Sequence, residues 1–361
     1  MSTRIGIVGL PNAGKSSLFN ALTSAGAEAA NYPFTTIEPN VAVVPVLDPR
    51  LDRVAETLGA SELVYDTIDF HDIAGLVAGA HAGEGLGNRF LANIRETDAI
   101  VHVVRAHSDD GVVHPEGRVD PGRDIETIET ELVLADLEQA ERRLQRVART
   151  AKAGGREAIA EEAWLQRVIE ALQAGAPARG VPPPEDAPHA ARDLGALTGK
   201  PVLFVANVDE GSDVVPEQIA AHAAAQGAGA VAVSARLESE LSELDAEEAA
   251  SMRGEWGLSQ SSLQRVVAGA FELLALIAFF TAGEAKPAQS WHLRDGLTAW
   301  HAAGEIHSDI QKGFVRAEVI GWEQLVQAGG YAPARDRGHL RLEGRDYAMR
   351  DGDVITVKFT P

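Results

Sequence analysis

Short apolar runs alternate with longer mixed stretches through the first third of the chain. Arg4–Val8, Val41–Val44, Thr67–Phe70 and Ile100–Val104 read as strands, and Val202–Ala206 and Val231–Val233 resume the pattern later. Strands spaced by helix-length segments predict a mostly parallel sheet covered by helices. From Asp124 to about Ala174 the period changes. Ile128, Leu132, Ala135, Leu144 and Val147 recur at helical spacing among many charges, with no Gly or Pro before Gly154. This predicts a helical hairpin. The Pro-rich loop Gly180–Pro184 follows before the sheet pattern returns, so the hairpin is read as an insertion into a discontinuous α/β domain. Val266–Phe280 reads as a further apolar, helix-like stretch. Beyond it come short strands separated by Gly, Pro and Asp turns, ending in Asp353–Phe359, which predicts a small, separate mixed domain. The expected partition is 1–124 and 196–280 for the α/β domain, 125–195 for the hairpin and 281–361 for the C-terminal domain.

Composition narrows the chemistry. The 361 residues, 45% of them hydrophobic, suffice for more than one core. With no cysteine, disulfide scaffolds, thiolate zinc sites and cysteine nucleophiles are excluded, and a cytoplasmic location is the expectation. The N-terminus enters an apolar strand without signal-peptide features, and the longest apolar run, Leu273–Phe280, is too short to span a bilayer. The formal charge of -21 disfavours indiscriminate adhesion to RNA or acidic lipid, and nothing points to sequence-specific DNA. The one cationic run, Arg142, Arg143, Arg146, Arg149, Lys152 and Arg156, reads either as a solvated helix face or as a local contact for nucleic acid.

Gly9-Leu10-Pro11-Asn12-Ala13-Gly14-Lys15-Ser16 has the spacing G-x-x-x-x-G-K-S, follows a predicted strand and opens a helix through Ser17. Glycines in such a loop let backbone amides converge on phosphate oxygens, and the helix N-terminus adds its positive end. Asn12 to Ser17 are thus expected to hold the phosphates of a nucleotide, with Lys15 on the β and γ groups and the Ser16 hydroxyl on Mg²⁺. Asp72-Ile73-Ala74-Gly75 follows the strand at Thr67. Its carboxylate is placed to hold the metal through water and the Gly75 amide to meet the γ phosphate. In the polar loop Asn31–Ile37, Thr36 is the expected further metal ligand while a γ phosphate is present. Asn12 also offers a place for a monovalent cation, K⁺, acting as a fixed charge.

These strings, with Gly83–Asn88, Arg118–Pro121, Phe279–Gly283 and Gly304–Asp309, resemble the YchF/Obg-like ATPase family of translation-associated P-loop proteins across nearly the whole chain. The resemblance implies a GTPase-like fold with a C-terminal TGS-like domain, a preference for ATP and the ribosome as partner. It aligns Asn207-Val208-Asp209-Glu210 with an N-x-x-E form of the guanine-reading N-K-x-D, and it adds the Val208 backbone and the Ser234–Ala235 loop to the base pocket. Guanine recognition needs a carboxylate that accepts from both N1 and the exocyclic amine; Asp209, beside Glu210, leaves room for GTP. Leu76 occupies the place where Ras-like proteins carry a water-orienting Gln. The resemblance replaces it with a loop histidine, which maps to His114, with His107 as a competing candidate. The alternatives to an ATPase are an Obg-like GTPase, or a nucleotide-gated binding module in which hydrolysis is incidental.

Overall fold

The computed structural model of the chain describes residues 3–29, 40–73, 86–108, 117–258 and 261–360. They form two compact units, one of Thr3–Val44 and Asp69–Leu273, the other of Pro45–Ile68 and Leu274–Pro361.

The first unit is built on a six-stranded sheet in the spatial order Val41–Pro45, Thr67–Asp72, Thr3–Val8, Ala99–Arg105, Val202–Asn207, Gly229–Val233. The last four strands pair in parallel, with Ile7 opposite Val101 and Val103 opposite Val205. Ala99–Arg105 and Val202–Asn207 are buried at every position, as central strands covered on both faces require. Because neighbouring strands run the same way, their C-terminal ends meet along one sheet edge. The loops after Val8, Asp72, Arg105, Asn207 and Val233 all start there, the position where open α/β sheets bind ligands.

The helical hairpin consists of Pro121–Ala151 and Arg156–Gln173. Asp120 caps the first helix by accepting from the Arg123 amide at 3.3 Å, with Pro121 at its first position. Ile125, Ile128 and Leu132 near its start join the core under the sheet. Further along, Ala140 packs with Trp164, Leu165, Val168 and Leu172 of the return helix in a core of its own. The buried Asp136 carboxylate ties the hairpin to the chain that re-enters the sheet, accepting from the amides of Leu197 at 2.8 Å and Thr198 at 2.7 Å.

In the second unit, Leu276–Thr281, Ala288–Arg294, Phe314–Gly321, Arg341–Glu343 and Asp353–Phe359 form a mixed sheet, and Leu63–Val64 completes its edge beside Ala288–Arg294. The helix-like reading of Val266–Phe280 is corrected at its second half. The helix ends at Leu273, Ala275 turns with φ 48°, and Leu276–Thr281 is a central strand. An all-apolar run carries no period to separate a buried strand from a buried helix. The unit is also wider than a domain starting at 281, because this strand and the whole of Pro45–Ile68 pack within it. Helix Pro49–Leu58 buries Leu51, Val54 and Leu58 there, and Arg50 reaches Asp48 and Asp351 with its guanidinium 5.7 Å from the Phe280 ring centre.

Candidate nucleotide site

The loop between strand Thr3–Val8 and helix Lys15–Ala29 is shaped by three residues with positive φ: Gly9 at 156°, Asn12 at 63° and Gly14 at 98°. Asparagine is the side-chain-bearing residue that best tolerates this region, so Asn12 fits its turn. The glycines have separate reasons. A Cβ on Gly9 would lie 2.4 Å from the Val103 carbonyl oxygen, and one on Gly14 would lie 2.1 Å from the Asn207 side-chain nitrogen.

Asn207 is the hub of the site. Nearly buried at the end of its strand, it donates from Nδ2 to the Ala13 carbonyl at 3.0 Å and accepts at Oδ1 from the Ala235 amide at 3.1 Å. One side chain therefore joins the phosphate loop to the loop at Ser234–Ala235, from positions far apart in sequence. Ser234 caps helix Ala235–Leu241, its hydroxyl accepting from the Leu237 amide, and that helix packs against the helix starting at Lys15.

These elements enclose an open cleft of about 910 Å³. Asn12, Gly14, Lys15, Ser16 and Ser17 line one end; Asn207, Val208, Asp209, Glu210, Ser234 and Ala235 line the other. Ala13 lies behind the wall as the acceptor for Asn207. Lys15 is 7% exposed and donates to the Leu10 carbonyl at 2.8 Å. Burial pushes its pKa down, with the charge of Asp72 pulling the other way. Asp72, half-buried at the end of its strand, is in turn pushed up by burial and drawn back by Lys15. A buried ammonium at the start of a helix, beside a loop with three positive-φ residues, is a surrounding that a polyphosphate would stabilise.

The donors also fit a hard, oxygen-seeking cation. Ser16 offers a hydroxyl beside Lys15 and Asp72 a desolvated carboxylate, the kind of sparse protein set that Mg²⁺ uses when substrate oxygens and water complete its shell. Among the described residues no cluster of three or more His, Asp or Glu forms a cage for a metal alone. Thr36, Gly75 and His114 lie outside the described residues.

Asp209 has partners on the neighbouring loop. Its carboxylate accepts from the Ser108 amide at 3.1 Å and from the Ser108 hydroxyl at 3.2 Å. Glu210 pairs with Arg236 at 3.0 Å. His107 lines the cleft, as do Ser108, Arg236, Ser239, Glu240 and Trp256, none of which the sequence singled out apart from His107. Arg236, Ser239 and Glu240 share a face of the helix capped by Ser234, a spacing that could have been read once that helix was placed. For Trp256 no sequence signal exists.

Comparison with known proteins accords with this site. Residues 4–144 match the family model described as 50S ribosome-binding GTPase, and residues 276–360 match the YchF-GTPase C-terminal model, described as a protein of unknown function. The chain is 46% identical to the "Ribosome-binding ATPase YchF" of Bacillus subtilis, covering 99% of this chain and 100% of that one. To the protein of the same name from Haemophilus ducreyi it is 48% identical, over 99% of both chains. The solved YchF GTPase of Schizosaccharomyces pombe superposes with a TM-score of 0.87 at 33% identity, over 99% of this chain and 98% of that one. With a nucleotide cradle at one end and a matching C-terminal segment at the other, both aligned end to end with these relatives, the chain belongs to the YchF family.

Proposed function

We propose that this chain is a Mg²⁺-dependent ATPase that converts ATP and water to ADP and phosphate, and that nucleotide turnover is tied to ribosome binding in the cytoplasm. The observation that carries the nucleotide reading is the single cleft running from the Lys15 cradle to the Asn207–Glu210 loop, fixed at both ends by one side chain, Asn207. The choice of ATP rests on Asp209. Its Oδ1 accepts two hydrogen bonds from Ser108, which orients the carboxylate toward that loop, and the ATPase name of the bacterial relatives supports the same choice.

In this reading Asn12 to Ser17 bind the phosphates, Lys15 stabilises charge on the β and γ groups, and Asn207, Val208, Glu210, Ser234 and Ala235 surround the base. Ser16, Thr36 and Asp72 would hold Mg²⁺, which when bound neutralises phosphate charge. Asn12 is the residue for an accompanying K⁺. The water oxygen forms the new bond to the γ phosphorus as the bond to the β–γ bridging oxygen breaks, and that oxygen leaves with ADP. Gly75 supports the γ phosphate through its amide, and His114 orients the water and takes its proton. His107 competes for that role, being already at the cleft.

The deciding experiment is equilibrium titration of nucleotide-stripped protein with ATP and GTP in Mg²⁺, followed by steady-state turnover. ATP is expected to bind more tightly, Lys15→Ala to lose both nucleotides, and His114→Ala to keep binding while losing turnover. Loss of turnover in His107→Ala instead would move the role to that residue. The GTPase reading has one specific support, the GTPase designation of the matched family model and of the fission-yeast structure, and tighter GTP binding would establish it.

For the ribosome, the support is the name of the bacterial relatives and the surviving part of the cationic run. Arg143 is largely covered and pairs with Glu161; Arg142 and Arg156 pair with Glu138 and Asp186 but stay exposed, and Arg146, Arg149 and Lys152 are further exposed cations of the hairpin end. Reversing the last three charges is expected to lower co-sedimentation with ribosomes and flatten its salt dependence; an unchanged sedimentation profile rejects the hairpin as the contact.

A further inference from the structure

The nucleotide cleft is polar at its phosphate end, yet a nucleobase presents two apolar faces that hydrogen-bonding groups cannot cover. Among the described residues lining the cleft, His107 and Arg236 offer small planar groups and Trp256 the widest aromatic face. Trp256 contributes to the wall beside Asp209 and Glu210 and is 45% exposed. A single exposed aromatic is unremarkable on a protein surface. Trp256 differs because it lines a cleft and is held in place from several sides.

Its indole rests on Gly211, the residue directly after Glu210. Gly211 has φ 77°, and a Cβ there would lie 2.6 Å from Cε3 of the ring, so only a bare backbone admits the contact. Trp256 caps helix Ala246–Glu255, whose Ala249 packs with Leu237, Leu241 and Leu258. Glu238, almost fully buried in the helix that Ser234 caps, holds the flanking chain by accepting from the Ser262 amide at 2.7 Å and the Ser261 hydroxyl at 3.2 Å. Arg253 faces the same carboxylate at 3.9 Å. The helix that opens at the base pocket thus also fixes the segment carrying the indole.

We infer that Trp256 is the stacking platform for the nucleobase, setting affinity for the base without choosing between adenine and guanine. This rests on the nucleotide reading above and adds to it a residue and its role. Both purines offer the same π face, whereas discrimination belongs to edge contacts.

The test is calorimetric titration of the full chain, wild type, Trp256→Ala and Trp256→Phe, with ATP, GTP and inorganic tripolyphosphate in Mg²⁺. Trp256→Ala is expected to weaken ATP and GTP alike by about tenfold and to leave tripolyphosphate unchanged, while Trp256→Phe recovers most of the loss. In wild type, ATP but not tripolyphosphate should quench tryptophan emission, and the quench should vanish in Trp256→Phe. ATP binding to Trp256→Ala at wild-type strength, a loss shared equally by tripolyphosphate, or ATP binding to wild type without a change in emission each overturns the inference while leaving the P-loop site standing. If wild type binds none of the three ligands, the nucleotide reading fails and the stacking role with it.

Discussion

Gly9 and Gly14 occupy equivalent places in the motif, but the structure gives them different neighbours. At Gly14 an added methyl group meets the tip of the Asn207 side chain, which can rotate away at the expense of its bonds to Ala13 and Ala235. At Gly9 it meets the Val103 carbonyl in the centre of the sheet, where nothing can yield. Gly14→Ala, which also places an L residue at φ 98°, is therefore expected to fold with a loss of about 2–4 kcal/mol and to lose nucleotide affinity at least tenfold. Gly9→Ala is expected to lose several kcal/mol of global stability. Urea unfolding beside nucleotide titration separates the two; equal stability losses would show that the two contacts are equivalent. Much of this site was legible at residue scale. The phosphate loop follows from local spacing, since glycine, lysine and serine do their work within a few positions of one another. The family resemblance assigns Asn207 to the base pocket, but its clamp on Ala13 is hidden from the sequence because the partners are separated by most of the unit. The engagement of Asp209 with Ser108 was invisible for the same reason: both ends are short polar residues on loops, and pattern says nothing about which loops meet.

At the scale of elements, polar and apolar spacing predicted well wherever a segment had two different faces. Helix Pro121–Ala151 alternates core and solvent along its length, so its period was plain, although the reading from Asp124 starts three residues inside the helix that Asp120 caps. Leu276–Thr281 has no solvent face and carried no period. Asp136 shows a third case, a charge at an interior position of an otherwise regular helix. It has no exposed surface and accepts three hydrogen bonds from Leu197 and Thr198. Asp136→Ala leaves two amides and a hydroxyl buried without their acceptor, for an expected loss of about 3 kcal/mol or more. Asp136→Asn is expected to lose less, because an amide oxygen still accepts. A urea midpoint for Asp136→Ala within a few tenths molar of wild type, with unchanged slope, would reject this account.

On the scale of the whole molecule, the described residues pass between the two units three times, near residues 44, 68 and 273. Nothing in the sequence marks the first two crossings, because Pro45–Ile68 has the ordinary turn, helix and strand signals of an α/β connection. Arg50 is a test of how the second unit holds together. Burial works to push the Asp351 carboxyl up, but hydrogen bonds from Arg50 and from the Ala278 amide outweigh it and hold the group below its ordinary 3.8. A depressed carboxylate stabilises the fold above its unfolded value and ceases to do so as pH falls through the folded one. Asp351→Asn should therefore be less stable than wild type near neutral pH, with the difference closing below about pH 4 in thermal melts; a gap that persists into acid would assign the effect to packing. Removing residues 274–361 is expected to leave an aggregation-prone protein although every P-loop residue remains, since Leu51, Val54 and Leu58 lose their partners; a monodisperse product with wild-type nucleotide affinity would contradict this. The same routing bears on synthesis. Helix Pro49–Leu58 leaves the ribosome early, and the segment it packs against follows more than two hundred residues later. At roughly 5–20 residues per second its apolar stripe waits some tens of seconds for cover, the interval in which a nascent chain depends on chaperones.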